Sequence, residues 1–289
     1  MDLKDKVIII TGASGGIGKA TALALGRSGA MVVLVARRAE LLIETAKTIS
    51  NALVLPCDLS KEEDCIMMIE TVISQCKRID VLINNAASVI VSPSESVSRE
   101  DLLKAFRTNL LGPVTATQAV IPHMLRQGGG HIINIGSPGF MMGIPYYAPY
   151  VCSKAAFSAW TRTIQSEWEG SCIRVSEYFP GYIKTDSNPE SRLGAVDQDF
   201  LMNSKQNFIT RTFAKPKEPG QVANQIVALV KKPKTLVYTD FSTKIGAFIS
   251  NISSFRLSIA SQMARTAREK INLQMLNQNK SINEKNHPA

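Results

Sequence analysis

The sequence predicts an α/β fold: a doubly wound parallel sheet with helices on both faces, followed by a carboxyl-terminal helical extension. Three observations predict it. Short β-branched runs alternate with longer stretches of helical periodicity. The first run, Val7–Thr11, passes through a glycine-rich loop directly into a helical pattern. Polar residues able to do chemistry recur just after these runs, where the carboxyl ends of parallel strands open a binding crevice.

Taken in order, Val7–Thr11 is the continuous apolar run of a strand buried on both faces. Gly12–Gly18 follows, and the helical pattern Lys19–Ser28 completes the unit; glycines in this context let the backbone approach a pyrophosphate whose charge sits at a helix amino terminus. A second strand, Met31–Val35, ends in Ala36, Arg37 and Arg38, about twenty residues beyond the loop. A fold that binds NAD usually places an acid there for the ribose 2′-hydroxyl, whereas NADP needs a cation for the 2′-phosphate. The two arginines therefore predict NADP(H) preferred over NAD(H), the alternative being that they solvate the start of the next helix.

Helical residues Glu40–Ser50 lead to a third strand near Ala52–Leu55 and to Asp58, a carboxylate placed either to receive an adenine amino group or to make local turn bonds. Ser60 and Glu63 have the spacing of a capping box. A helix to Cys76 precedes the fourth strand, Asp80–Asn84, whose successors Asn85, Ala86 and Ala87 are small enough for close cofactor approach. The helical stretch from Arg99 contains Asn109, intrinsically disfavoured in a helix, which marks either an irregularity that holds a water or a solvated face. Gly130–Gly136 forms a fifth strand, Ile173–Phe179 a sixth, and Thr235–Thr239 the last, with a helix opened by Pro219 before it.

Between the fifth and sixth strands lies the stretch around which the chemistry gathers. Tyr150 and Lys154 are four residues apart, hence on one face of a helix and one turn apart. A phenol near pKa 10 is a poor acid or base at neutral pH, and an adjacent ammonium favours its ionised form. Ser137, thirteen residues upstream of Tyr150, offers a hydroxyl that could hold a substrate oxygen against that phenol.

With these residues placed, the chain resembles a classical short-chain dehydrogenase/reductase over roughly residues 5–240. Thr11, Gly12, Gly16 and Gly18 match that family's cofactor loop, Asn84–Ala86 its fourth-strand motif, and Pro180, Gly181 and Thr185 its nicotinamide-side loop. Asn109, Ser137, Tyr150 and Lys154 match all four positions of its catalytic set; Ala87 departs from the usual glycine.

The resemblance implies a Rossmann-type domain over 1–240 and hydride transfer between a nicotinamide and a carbonyl or alcohol carbon. In that scheme Tyr150 is the proton donor, Lys154 lowers its pKa and holds the nicotinamide ribose, and Asn109 with a water links Lys154 to solvent. It further implies cofactor contacts from Ser14, Ile17, Arg37, Arg38, Asp58, Leu59, Asn85, Ala86 and Ile183, with Arg37 on the 2′-phosphate. No metal is needed. Two other readings stay open: an NAD-linked dehydrogenase running oxidatively, and a non-catalytic NADP(H)-sensing protein.

The variable parts are read from pattern alone. Residues 186–217, with Phe200, Leu201, Met202, Phe208, Ile209 and Phe213, suit a lid whose apolar side covers an apolar substrate or packs on the protein itself. Residues 241–276 carry apolar positions at helical spacing, and 277–289 read as a disordered tail. Of the formal net charge of +9, most sits in residues 221–289, where ten Lys or Arg face three acids. The extension can pack beside the active site or a second subunit, or lie on an anionic membrane surface. Nucleic acid is not expected, since there is no motif and little aromatic interleaving.

Five scattered cysteines without paired spacing argue for a reducing compartment, and a charged amino terminus argues against a signal peptide. The expectation is a cytoplasmic homodimer or homotetramer acting on an apolar carbonyl or alcohol, with peripheral membrane contact through the basic helix as an option.

Overall fold

The structure, a computed structural model, describes residues 2–183, 190–191, 216–249 and 265. Its centre is a seven-stranded sheet built from β1 (Val7–Thr11), β2 (Met31–Ala36), β3 (Ala52–Pro56), β4 (Val81–Asn84), β6 (Gly130–Ile135), β7 (Ile173–Phe179) and β9 (Leu236–Tyr238). The strand order is β3-β2-β1-β4-β6-β7-β9 and every pairing is parallel. The chain winds outward from β1 to β3, then returns to the other side of β1 to lay down β4. That reversal places a crevice at the carboxyl ends of β1 and β4, which is where open parallel sheets bind ligands.

The central strands are buried on both faces because helices cover each side, whereas the outer strands β3 and β9 are only partly covered. Side chains alternate along a strand, so Ile8 and Ile10 of β1 enter one core while Ile9 enters the other. The first core is closed by α1 (Gly16–Arg27) and α8 (Pro219–Lys231), through Leu25, Val222 and Ile226. The second is closed by α3 (Glu62–Cys76), α5 (Gly112–Arg126) and α7 (Ala148–Glu167), through Val72, Val120 and Ile164. At the opposite edge from the crevice, buried Asp80 accepts from the Val7 amide at 2.9 Å and from Arg78 at 2.9 and 2.6 Å, which fixes the start of β4 beside β1.

Two local expectations change and one element is added. The helix expected to reach Ser50 is α2 (Ala39–Ala46); beyond it Thr48 and Ile49 donate to carbonyls three residues back, and the Thr45 and Thr48 side chains bond local carbonyls, tightening the turn. The capping box at Ser60 does not form: α3 starts at Glu62 with Lys61 as its cap, and the Ser60 hydroxyl bonds Asp58 instead. A short parallel pair, β5 (Ile90–Val91) with β8 (Glu190–Ser191), lies outside the main sheet and had no signal in the sequence.

The remaining helices are α4 (Arg99–Phe106), α6 (Gly139–Met142) and α9 (Phe241–Ile249). α9 is the described part of the expected extension. Among the described residues, no helix is long and apolar enough to cross a membrane. The apolar lid positions from Phe200 to Phe213 and the 277–289 tail fall outside the described residues.

Candidate active site

The glycine loop is shaped by two close approaches. Gly12 has φ +71, and a β-carbon there would come within 2.8 Å of Asn85 Nδ2 and 2.9 Å of the Ala86 Cα. At Gly18 a β-carbon would meet the Gly12 carbonyl oxygen at 2.2 Å. Larger residues would push α1 off the loop, so the cradle exists because these positions are glycine. α1 begins within the loop, at Gly16, and carries its amino-terminal N–H groups, with Ile17 in its first turn, to the crevice.

Asn85 and Ala86 close the same cradle from β4. The Thr11 hydroxyl accepts from the Asn85 and Ala86 amides at 2.9 and 3.1 Å, and Asn85 Nδ2 donates to the Thr11 carbonyl at 2.8 Å. Asn85 thus ties the ends of β1 and β4 together, a role its spacing did not announce.

At the end of β2 the structure separates the two arginines. Arg38 reaches back over the loop and donates to the Ser14 hydroxyl at 3.0 Å. Arg37 lies instead within the field of Asp58. Burial raises the Asp58 carboxyl, but hydrogen bonds from Ser60 and the charges of Arg37 and Lys61 outweigh it and hold it below its ordinary value. The local turn bonds weighed for Asp58 are present, since its Oδ1 accepts from the Ser60 amide at 3.0 Å and hydroxyl at 2.8 Å. Leu59 is buried beside it, its carbonyl packed against Gly112, where a β-carbon would sit 2.2 Å away.

Asn109 resolves as an irregularity. Residues Arg107–Leu111 form a π-helical turn between α4 and α5, with the Gly112 amide donating to the Arg107 carbonyl. Asn109 is fully buried, so the solvated face is ruled out. Its Oδ1 accepts from the Ser88 amide at 2.6 Å, and its Nδ2 donates to the Ser88 carbonyl and the Ser153 hydroxyl, both at 2.9 Å. Ser153 in turn donates to the Tyr150 carbonyl at 2.9 Å. The amide side chain joins three segments, the Ser88 loop, the π turn and α7.

Tyr150 and Lys154 share one face of α7, whose first turn contains Pro149, where the missing N–H is harmless. Lys154 is buried, donates to the Ile135 carbonyl at 2.8 Å and lies 5.3 Å from the centre of the Phe157 ring. Burial lowers its pKa to about 8, against the opposing pull of Glu177. Ser137 stands two residues beyond β6 and accepts from the Gly139 amide at 3.2 Å. Burial raises the Tyr150 phenol above its ordinary value, while the nearby Ser137 hydroxyl pulls it down. The expected lowering by Lys154 is therefore not what dominates here: the ammonium is held by the Ile135 carbonyl, the nearest acceptor for a buried cation.

The nicotinamide-side loop is described in part. The Gly181 amide donates to the Thr239 hydroxyl at 3.2 Å, and Gly181 packs against Thr243 so closely that a β-carbon would lie 2.8 Å from its oxygen. Ile183 bridges to Lys217, and the Lys217 side chain pairs with Asp240. Pro180 links β7 to this loop, and Thr185 lies outside the described residues. Ser88, Ser153, Glu177 and Tyr147 belong to the site without having been expected. Burial and the neighbouring Tyr182 and Tyr150 push the Tyr147 phenol up to about 12. None of the four stands in a recognisable spacing, and their positions follow only from the fold.

A glycine cradle at the β1–β4 switch point beside a Ser–Tyr–Lys group defines a nicotinamide-dependent oxidoreductase of the doubly wound class. The sequence pattern of short chain dehydrogenases matches residues 6–195, and the chain belongs to that family. It is 34% identical over 254 residues to the oxidoreductase YxnA of Bacillus subtilis, covering 86% of this chain and 68% of that one. A fatty acyl-CoA reductase of Mycobacterium tuberculosis is 39% identical over 188 residues, 62% of this chain and 64% of its own. The alcohol dehydrogenase of Thermococcus sibiricus complexed with 5-hydroxy-NADP superposes with a TM-score of 0.66 at 27% identity, covering 81% of this chain and 95% of that one. The protein is an NAD(P)-dependent dehydrogenase/reductase.

Proposed function

We propose that the protein interconverts a carbonyl and an alcohol on a largely apolar small molecule, with NADP(H) preferred over NAD(H). The observation that carries this reading is the Arg38–Ser14 hydrogen bond over the glycine loop, where Arg38 also approaches Gly15. An arginine paired to a hydroxyl on the loop forms a cationic corner suited to a 2′-phosphate, while Arg37 is directed towards Asp58. The nicotinamide dinucleotide, when bound, supplies or accepts the hydride.

Ser137 and Tyr150 hold the substrate oxygen, and the Tyr150 phenol gives its proton to that oxygen as negative charge develops. Lys154, buried at the end of β6, holds the cofactor ribose and stabilises the phenolate left behind. Asn109, locked to Ser88 and Ser153, fixes the turn that would hold a water, and that water carries a proton from solvent towards Lys154.

The apolar character of the substrate rests on the apolar residues that the sequence places in 186–217 and on the relative named a fatty acyl-CoA reductase. NADPH oxidation, with NADH in parallel, against straight-chain aldehydes and ketones of graded length tests the reading. A rate that needs NADPH and rises with chain length supports it; an equal or greater rate with NADH removes the cofactor preference.

A second feature favours peripheral contact with an anionic membrane. α9 exposes Phe241 and Phe248, 74% and 71% accessible, beside Lys244, with Lys232 and Lys234 just upstream. Cosedimentation with phosphatidylserine liposomes is expected for the full chain and not for a Phe241→Ser/Phe248→Ser variant. Binding indifferent to anionic lipid removes this reading and leaves the cytoplasmic homodimer or homotetramer, to be sized by light scattering.

A further inference from the structure

Behind the site lies a buried acid that the chemistry above does not use. Glu177 of β7 is 1% exposed, and neither carboxyl oxygen has a hydrogen-bond partner among the described residues. Among the described residues its one ion pair is with Arg162 Nε at 3.9 Å, on a side chain that is itself 58% exposed. A carboxylate so placed is destabilising unless something nearby needs its charge.

The surroundings indicate what needs it. Tyr150, Lys154, Ser158 and Arg162 follow one another at four-residue steps along α7 and form a stripe facing β7. The Ser158 hydroxyl, also buried, is close enough to stabilise the Glu177 carboxylate, though neither group completes a hydrogen bond. Glu177 Oε1 lies against Gly136, where a β-carbon would come within 3.2 Å, and Gly136 is the residue before Ser137. Lys154 is held by the carbonyl of Ile135, one residue earlier. The carboxylate thus sits under the backbone that positions both the serine and the lysine. Its field reaches a buried ammonium whose only direct hydrogen bond among the described residues is to a neutral carbonyl, without a direct ion pair between the two.

We propose that Glu177 is a positioning residue for proton transfer, supplying from beneath the α7 stripe the negative field that keeps Lys154 an ammonium in the working pH range. The inference rests on reading Tyr150 and Lys154 as the proton-transfer pair. The groups that face Glu177 are Lys154, Ser158 and Arg162 from α7 and Tyr238 from β9, while Val175 and Phe179 flank it on its own strand. Burial raises the Glu177 carboxyl to about 7, and Ser158, Arg162 and Lys154 pull it back. Lys154, lowered to about 8 by burial, is raised by Glu177 in return. The state that the reaction uses is the one in which the acid is charged while the lysine is still protonated.

The test reads Lys154 directly. In protein labelled with 13Cε-lysine, the Lys154 resonance is identified by its loss in Lys154→Met and followed with pH. Replacing Glu177 by glutamine keeps the shape and removes the charge, and is expected to raise the Lys154 acid dissociation constant about tenfold; Glu177→Asp restores most of the wild-type value. Wild type provides a second readout free of any folding defect, because the Lys154 resonance should show an additional inflection as Glu177 itself titrates. A Lys154 midpoint unchanged within a factor of two in Glu177→Gln, or a wild-type titration with a single inflection, overturns the proposal and leaves Glu177 a core residue. Either result leaves the role of Tyr150 intact, whereas turnover retained by Tyr150→Phe would remove that role without altering the Lys154 titration.

Discussion

The Asn109→Ala substitution probes how the π-helical turn holds the site together. It removes three hydrogen bonds, of 2.6, 2.9 and 2.9 Å, from a fully buried side chain. At about 1 kcal/mol net per bond the loss is about 3 kcal/mol, falling towards 2 if water enters to satisfy half-buried Ser88. The Ser153 hydroxyl keeps its bond to the Tyr150 carbonyl, so Tyr150 loses support without being cut loose. Urea unfolding monitored by tryptophan fluorescence measures the change as a lower midpoint at unchanged slope. For a chain of 289 residues the same loss lowers Tm by roughly 5 °C. Leu111→Ala is the control: it alters the same turn at a half-exposed position and should fall within about 0.5 kcal/mol of wild type. An Asn109→Ala loss no larger than that of the control would refute the claim that this amide joins Ser88, the π turn and α7.

Two further outcomes are expected. Arg38→Ala should weaken NADPH binding by about tenfold or more and leave NADH within about twofold, since a charge-assisted hydrogen bond contributes about 1.5–3 kcal/mol; if Arg37→Ala carries the whole loss instead, the 2′-phosphate sits beside Asp58 and the Ser14 contact is incidental. His131 is 2% exposed and burial, with the Arg174 charge, lowers its pKa to about 4, so the folded state resists a proton the unfolded chain takes up below about 6.5. Its contribution is therefore absent above pH 6.5 and appears as lost stability while pH falls from 6.5 to 4, about 3 kcal/mol in all, so the stability gap between wild type and His131→Gln should narrow by about that much across this window.

The sheet was legible because its central strands β1, β2 and β4 are buried on both faces and so read as near-continuous apolar runs, and because glycines at 12 and 18 are the only residues the loop can hold. Asn109, Ser137, Tyr150 and Lys154 were found through the spacing of motifs taken together. What the sequence concealed depends on tertiary neighbours. Whether Asn109 was solvated or buried turned on Ser88 and Ser153, which lie 21 and 44 residues away. The two adjacent arginines looked equivalent until the β2–α2 turn sent Arg38 to Ser14 and Arg37 towards Asp58. Glu177 looked like one residue of an apolar strand, and its place beneath Lys154 exists only once β7 pairs with β6 and α7 packs across them. The Ser60–Glu63 pattern misled because Asp58 competes for the same hydroxyl at 2.8 Å.

The account depends most on Tyr150 as the group that moves the proton, and one comparison tests it: NADPH oxidation by wild type and by Tyr150→Phe with the aldehyde or ketone that turns over fastest, alongside NADPH binding by fluorescence. Loss of a positioned general acid is worth about 10²–10⁴ in rate. The account predicts a fall of that size in kcat with NADPH affinity unchanged within about threefold, because the phenylalanine ring keeps the packing of α7. Turnover retained within about tenfold would contradict it and move the proton donor to Ser137 or to solvent.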